Sequence, residues 1–413
     1  MPPVPQERNR TPAHPENIDL SALLRDTDRC VKCALCLPTC PTYAIERTET
    51  QSPRGRVALV QGVTSAGIAP ADAADALDSC LACGACEKVC PAQVPFGSIL
   101  DRGRALVAGA VPRPVDRWIA ALLRSPLALR LLAALHRLSR FLPLPPRLAR
   151  LRAMAGERQS APASFQGDGT RGEVVLLEGC VTDAFDRAAN ASLDALLGAC
   201  GYRVRRAAGC CGGLSQHGGD LPTARQVSGK LLRRLQRDDS PIVHAASGCA
   251  AAIRDVGRLH DTDAARAASS RVVDPFELLA RSNINDLLQP DATNETTVAL
   301  HLPCTQRNVP GGGNALSAIL SSLPGVDVVP GGGHGCCGAA GTHMLTHPDA
   351  AATLGRAVID SLGDLQSVDV LVSANIGCAW HLRATLRDRG STLEVLHPAT
   401  FLARRLVRQS NAK

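Results

Sequence analysis

From residue 173 onward the hydrophobic positions come in short unbroken runs, each followed by a stretch of helical periodicity. Glu173-Val-Val-Leu-Leu-Glu-Gly, Ile242-Val-His-Ala-Ala and Thr297-Val-Ala-Leu-His-Leu are such runs. Apolar strands alternating with helices predict a parallel sheet covered on both faces. The first hundred residues follow a different rhythm. Leu20, Leu23 and Leu24 mark a short amphipathic helix, and the Ala-rich segment 71–77, entered through Pro70, marks another. Residues 100–154 are helical by pattern, interrupted at Pro112, Pro114, Pro126, Pro143, Pro145 and Pro146. The Pro-rich polar residues 1–18 are expected to be a mobile tail, and residues 156–172, rich in Gly, Ser, Pro and charge, a boundary loop.

The strand-helix half is a repeat. Cys180, Gly209-Cys210-Cys211-Gly212 and Gly248-Cys249 return as Cys304, Gly335-Cys336-Cys337-Gly338 and Gly377-Cys378, at offsets of 124, 126 and 129 residues. One unit of about 125 residues has been duplicated. Each cysteine is expected at the carboxyl end of a strand, where open parallel sheets bind ligands. Cys180, Cys210, Cys211 and Cys249 would therefore meet at one sheet edge, and Cys304, Cys336, Cys337 and Cys378 at the other. Two readings of these quartets stay open, a cluster or other metal centre and a set of buried redox-sensitive thiols. Cys200, alone in an Ala/Leu helix, reads as a small core residue.

The strongest chemical signal lies in the helical half. Cys30-x2-Cys33-x2-Cys36-x3-Cys40-Pro41 recurs as Cys80-x2-Cys83-x2-Cys86-x3-Cys90-Pro91. Two such runs are what a pair of 4Fe-4S clusters needs, with the last cysteine of each run crossing to the other cluster. One cluster is assigned to Cys30, Cys33, Cys36 and Cys90, the other to Cys80, Cys83, Cys86 and Cys40. Structural zinc sites separate two C-x2-C pairs by a longer spacer and do not match. Arg54 and Arg56, between the runs, compensate cluster charge or sit in a solvated turn.

Composition narrows the class further. Seventeen cysteines without an apolar leader segment predict a reducing cytoplasmic setting, in which cysteines serve metals more than disulfides. The net charge of +7 is local: residues 101–155 hold eleven Arg against Asp101 and Asp116, a surplus of nine, so the remainder sums to −2. The chain as a whole is not built to bind nucleic acid. Arg117, Arg124, Arg130 and Arg137 recur every six or seven residues of the basic stretch, which places them near one face. That stretch either makes peripheral contact with anionic lipid or an acidic partner subunit, or packs its leucines on its own domains; the second reading is preferred. No dinucleotide site is expected, and no catalytic triad or carboxylate pair is legible.

Further motifs carry a resemblance over about residues 20–405. They are Cys40-Pro-Thr-Tyr43, Pro53-Arg-Gly-Arg56, Leu177-Glu-Gly-Cys180, Gly209-Cys-Cys-Gly212, Thr346-His-Pro-Asp349 and Ala374-Asn-Ile-Gly-Cys378. The chain resembles the cysteine-rich CCG-domain family of iron-sulfur oxidoreductase subunits, and within it the iron-sulfur subunits of bacterial glycolate oxidases. In heterodisulfide reductase relatives a second Cys follows the last one of each unit; here Ala252 and His381 stand there. A five-thiolate centre is thereby in doubt, with His381 either a nitrogen ligand or a helix-face residue.

The expected architecture is α+β and multidomain. A mostly helical two-cluster ferredoxin-like domain (19–105) and a basic helical linker (106–172) precede two duplicated α/β parallel-sheet CCG units (173–288 and 289–413). The resemblance implies that flavin-containing partner subunits oxidise glycolate, while this chain passes electrons toward a quinone-type acceptor, in the cytoplasm or on the cytoplasmic face of the inner membrane. Competing readings are service to a D-lactate or glycerol-3-phosphate dehydrogenase, a thiol-disulfide reductase working at the Cys-Cys pairs, and a non-redox scaffold.

Overall fold

The computed structural model describes residues 18–111, 114–138, 165, 167–236, 238–289, 295–309, 312–331 and 335–406. Most of the expected tail, most of the boundary loop and the proline breaks at 112, 143, 145 and 146 lie outside them.

The first cysteine run is entered through α1 (Leu20–Asp28), capped by Asp19, which accepts from the Ala22 amide at 3.0 Å. Between the runs stand α2 (Pro41–Glu46), α3 (Pro53–Thr64) and α4 (Pro70–Asp78), each with proline at its start. The solvated-turn reading of Arg54 and Arg56 fails, since both stand in the first turn of α3, capped by Ser52 on the Gly55 amide. Gly55 is required there: a Cβ would stand 1.8 Å from the Glu49 carbonyl oxygen. After α5 (Ala85–Lys88), α6 (Phe96–Ala108) closes a core of Leu23, Val57, Val60, Leu77, Ile99 and Leu100.

The linker continues as α7 (Pro114–Arg124) and α8 (Pro126–Leu138), with a bend of 94° between segments 117–124 and 127–135. Its preferred reading fails. Ala120, Leu129 and Ala133 face inward, while Trp118, Leu122, Leu127, Leu131, Leu135 and Leu138 are exposed. The three of its arginines whose side chains are described do not share one face either, because the bend separates them. Arg117 and Arg130 are exposed, Arg124 turns in to donate to Ser215 at 2.7 Å, and the Arg137 side chain lies outside the described residues.

Both halves of the repeat form parallel sheets, as expected. β1 (Glu173–Gly179), β2 (Arg203–Gly209) and β3 (Ile242–His244) are ordered β2-β1-β3. β4 (Thr296–His301), β5 (Val326–Gly331), β6 (Val370–Ser373) and β7 (Glu394–Leu396) are ordered β5-β4-β6-β7. The fourth strand of the first sheet is reduced to a single parallel bridge, Ile242 to Val272. β2 departs from the apolar pattern because it is an edge strand: Arg205 pairs with Glu173 and Asp238, and Arg206 with Glu178 and Asp194.

Alternation along the central strands layers the two units on one another. Val174 and Leu176 enter a core shared with Val298, Leu300, Val370 and Val372, whereas Val175 and Leu177 face a core of the first unit alone, and Ala299 and Leu371 one of the second. The units are therefore not independent beads. Their strand ends also meet: the Ser247 amide donates to the Ala374 carbonyl at 2.9 Å, and His397 donates to the Ala245 carbonyl at 2.7 Å.

Candidate iron-sulfur and thiol sites

Both ferredoxin-type loops reverse tightly, through residues at positive φ: Lys32 and Ala34 in the first, Ala82 and Gly84 in the second. Such backbone wraps a short loop round one centre. No cysteine in the chain is in a disulfide. Burial pushes the Cys83 thiol up, and the charges of Cys336, Cys80 and Cys40 add to this. Cys86 is raised by burial and by Cys83, Cys80 and Cys40. Cys40 thus lies within electrostatic reach of the thiols of the Cys80 loop. Cys36 is raised by burial against two amide hydrogen bonds, with Cys30 and Cys33 adding to the rise. Arg29, beside Cys30, donates to the Ala92 carbonyl at 3.4 Å, which draws the Cys90 segment toward the first loop.

These donors fit iron clusters on their chemistry. Crowded buried thiols repel one another as thiolates, and a cationic iron-sulfur core removes that repulsion. Among the described residues no three His, Cys, Asp or Glu side chains are placed for a single metal ion. The donors are all thiols strung along a wrapping loop, the set a cubane takes.

Two buried arginines support the second loop, and sequence reasoning caught only one. Arg56, 1% exposed, donates to Ala76 O (2.6 Å), Gln51 O (2.8 Å), Gln51 Oε1 (2.6 Å), Thr42 Oγ1 (2.9 Å) and Ser79 Oγ (3.1 Å), with Cys40 Sγ at 4.0 Å. It is a structural clamp that also brings positive charge to Cys40. Arg104 donates to the carbonyls of Leu77 (3.0 Å), Asp78 (3.0 Å) and Cys80 (2.6 Å), and across to His217 in the first CCG unit (3.0 Å). Within a helical pattern it carried no mark of this role. Arg54 is a half-buried partner of Glu49 that also donates to the Lys32 carbonyl at 3.0 Å.

The quartets gather where the strands predicted. Cys180 follows β1, Cys210 and Cys211 follow β2, and Cys249 lies in the first turn of the helix after β3, Ser247–Arg254. Cys210 is held well down by hydrogen bonds from Cys180 and Cys211, and Cys249 by Cys211, while Cys180 and Cys211 are pushed up as their donors. In the second unit Cys336 is held down by Cys304 and Cys337, both of which rise. Gly212 (φ +81°) and Gly338 (φ +89°) make the turns after each pair, and a Cβ on either would stand within 3 Å of a helix carbonyl, Ala224 or Ala351. The leading glycines do not share this duty.

Histidines missed in the sequence complete these sites. His244 accepts from the Ala246 amide on Nδ1 at 2.7 Å, which leaves the proton on a buried Nε2 beside Cys249. His301 sits near Cys336 with Nδ1 2.9 Å from Ser373 Oγ, and burial lowers its pKa to about 4. Their strand positions were visible; their inward direction was not. His381 is buried, with Nε2 2.8 Å from the Ala351 carbonyl, so that nitrogen is committed to the backbone. Cys200 is a core residue, as expected, its pKa raised to about 11 by burial.

The second ferredoxin loop lies on the second quartet. Leu81, Cys83, Cys304, Cys336 and Leu354 share one small apolar cluster. Asn308 donates to the Cys83 carbonyl at 2.6 Å, and Lys88 to the Arg307 carbonyl at 3.0 Å.

A dicluster loop pair joined to a duplicated thiol-bearing sheet defines a cysteine-rich iron-sulfur oxidoreductase subunit. Comparison agrees: residues 26–94 match the 4Fe-4S dicluster domain, and residues 174–254 and 298–383 the cysteine-rich domain. The chain is 32% identical over 374 residues to the glycolate oxidase iron-sulfur subunit of Escherichia coli (strain K12), covering 87% of this chain and 90% of that one. It is 26% identical to the probable glycolate oxidase iron-sulfur subunit of Bacillus subtilis (strain 168), covering 94% and 95%. Lactate utilization protein A of Geobacillus sp. (strain WCH70) is 22% identical over 56% of this chain and 98% of its own length. The chain belongs to the family of glycolate oxidase iron-sulfur subunits.

Proposed function

We propose that this chain is the electron-carrying subunit of a membrane-linked glycolate dehydrogenase complex. Flavin-containing partner subunits oxidise glycolate to glyoxylate, and the chain hands the electrons on to a quinone-type acceptor at the cytoplasmic face of the membrane. Cys30, Cys33, Cys36 and Cys90 hold one 4Fe-4S cluster, and Cys80, Cys83, Cys86 and Cys40 the other. When bound, such clusters supply one-electron transfer. The chain's own groups do the rest. The loops fix the thiols, Arg56 and Arg104 hold the second loop from behind, and the apolar cluster at Leu81 keeps water from the face that meets Cys336.

One observation carries the reading: a ferredoxin-type loop is packed against a second set of thiols, Cys83 beside Cys304 and Cys336, a contact a scaffold does not require. Iron counting and electron paramagnetic resonance on the reduced full chain test it, with about eight irons and a coupled-cluster signal expected. Four or fewer irons would remove it. Glycolate is tested against D-lactate by dye reduction with the purified complex, lactate being the substrate in the name of the relative lactate utilization protein A. Faster reduction with D-lactate would move the substrate and leave the wiring intact.

A further inference from the structure

The α7–α8 hairpin has its polarity inside out. Small alanines, Ala120 and Ala133, face the protein with Leu129, while six large apolar side chains face solvent, Trp118 at 76% and Leu127 at 68% exposure. Soluble surfaces scatter such residues singly; six on one hairpin mark an interaction face. Exposed arginines interleave with them, Arg117 beside Trp118 and Arg130 between Leu127 and Leu131. The surrounding segment carries eleven Arg against two Asp.

We infer that α7–α8 is a membrane-docking hairpin, lying on an anionic lipid bilayer with Trp118 and the leucines among the acyl chains and the arginines at the phosphates. Its dimensions require lying rather than spanning. At 11 and 13 residues the limbs reach roughly 17 and 20 Å, short of the ~30 Å hydrocarbon core, and the 94° bend keeps them from adding end to end. A helix with arginine and tryptophan on an apolar face suits the interface between headgroups and chains. An acidic protein partner would take up the arginines but leave the leucines unmatched.

The docked orientation bears on the redox path. α7 and α8 both pack on the helix Cys180–Phe185, and Arg124 reaches Ser215, so the hairpin roofs the first thiol quartet. Docking places Cys180, Cys210, Cys211 and Cys249 next to the bilayer, on the side from which a lipid-soluble acceptor arrives. This deepens the membrane-linked part of the proposed function and is tested apart from it.

The cluster-loaded full chain is sedimented with vesicles of equal parts phosphatidylcholine and phosphatidylglycerol, and with phosphatidylcholine alone. Binding to the anionic vesicles, weakened by salt, is expected. The combined variant Trp118→Ser, Leu131→Ser, Leu135→Ser should bind about tenfold more weakly while keeping its cluster absorbance, because the replaced side chains are exposed. In a Trp380→Phe background Trp118 is the remaining tryptophan. Its emission should shift to the blue and be quenched by brominated lipid. Absence of binding to anionic vesicles, undiminished binding by the triple variant, or an unquenched Trp118 would each overturn the inference. So would protection of Trp118 by the flavin-bearing partner in a complex that ignores vesicles. Vesicle binding by a complex that fails to oxidise glycolate would keep the docking and discard the substrate; turnover of soluble dye without vesicle binding would do the reverse.

Discussion

In the first cysteine-rich unit Cys180, Cys210, Cys211 and Cys249 are all half-buried; in the second Cys336, Cys337 and Cys378 are fully buried and Cys304 half-buried. The sheets carrying them share register, turn glycines and layering. What differs is the cover. The second quartet lies under the Cys80–Cys90 loop, and the first under a hairpin whose outer face is apolar. Duplication supplied two equivalent pockets, and packing set one against a ferredoxin-type loop and gave the other an outward face. Thiols that are chemically alike are thereby placed in different surroundings.

That contrast can be broken most severely at its source. Cys40→Ala removes a thiol assigned to the loop that touches the second quartet. It should take about half of the iron and lower complex turnover by roughly a hundredfold or more, read by iron analysis and dye reduction. Loss of the other cluster's signal instead would show that the ligands are not crossed.

Next come the quartets themselves. Cys336→Ala, next to Cys83, is expected to slow dye reduction by about tenfold, and Cys210→Ala by less than about threefold, in stopped-flow traces. Equal losses would mean that the contact with Cys83 does not order the path, and full activity in both would remove the quartets from it.

Arg104 joins the second cluster loop to the first unit. Arg104→Met leaves the carbonyls of Leu77, Asp78, Cys80 and His217 without their donor, a loss of about 3 kcal/mol of stability in denaturant unfolding. Asn308→Ala cuts the corresponding tie to the second unit, one hydrogen bond to Cys83, and should cost only about 1 kcal/mol. A reversed order would mean that the second unit is the more firmly anchored.

Between these two in size is a pH effect where the units meet. His397 is buried, with its pKa lowered to about 4 by burial and by His244, against the pull of its bond to Ala245. Unfolded, it takes up a proton near pH 6.5. Its neutral form therefore adds no penalty above that pH, and stability is lost as pH falls from about 6.5 toward 4, on the order of 2 kcal/mol by pH 5. His397→Asn should flatten that part of the stability profile.

The cluster loops, the duplication and the sheet-edge placement of the thiols were legible because each is a short-range pattern. Ligand spacing, strand period and turn glycines are written in neighbouring residues. The reduction of the first sheet's fourth strand to the Ile242–Val272 bridge was not legible, nor was the charged edge strand β2, whose arginines find Glu173, Glu178, Asp194 and Asp238 only once the sheet forms. The outward leucines of α7 and α8 were expected to pack inward, since periodicity gives the faces of a helix but not which of them meets the protein.

By itself, the sequence determined what this chain is made to hold and how often its unit repeats. Thiolate count and spacing dictate a metal cluster's stoichiometry, and apolar runs dictate parallel strands. Only the tertiary structure decided which quartet lies against the Cys83 loop, that Arg104 and His244 serve the sites, and that the basic hairpin turns its apolar side outward. Those outcomes depend on contacts between segments far apart along the chain, such as Asn308 to Cys83 or Arg104 to His217, and the packing of whole layers selects them.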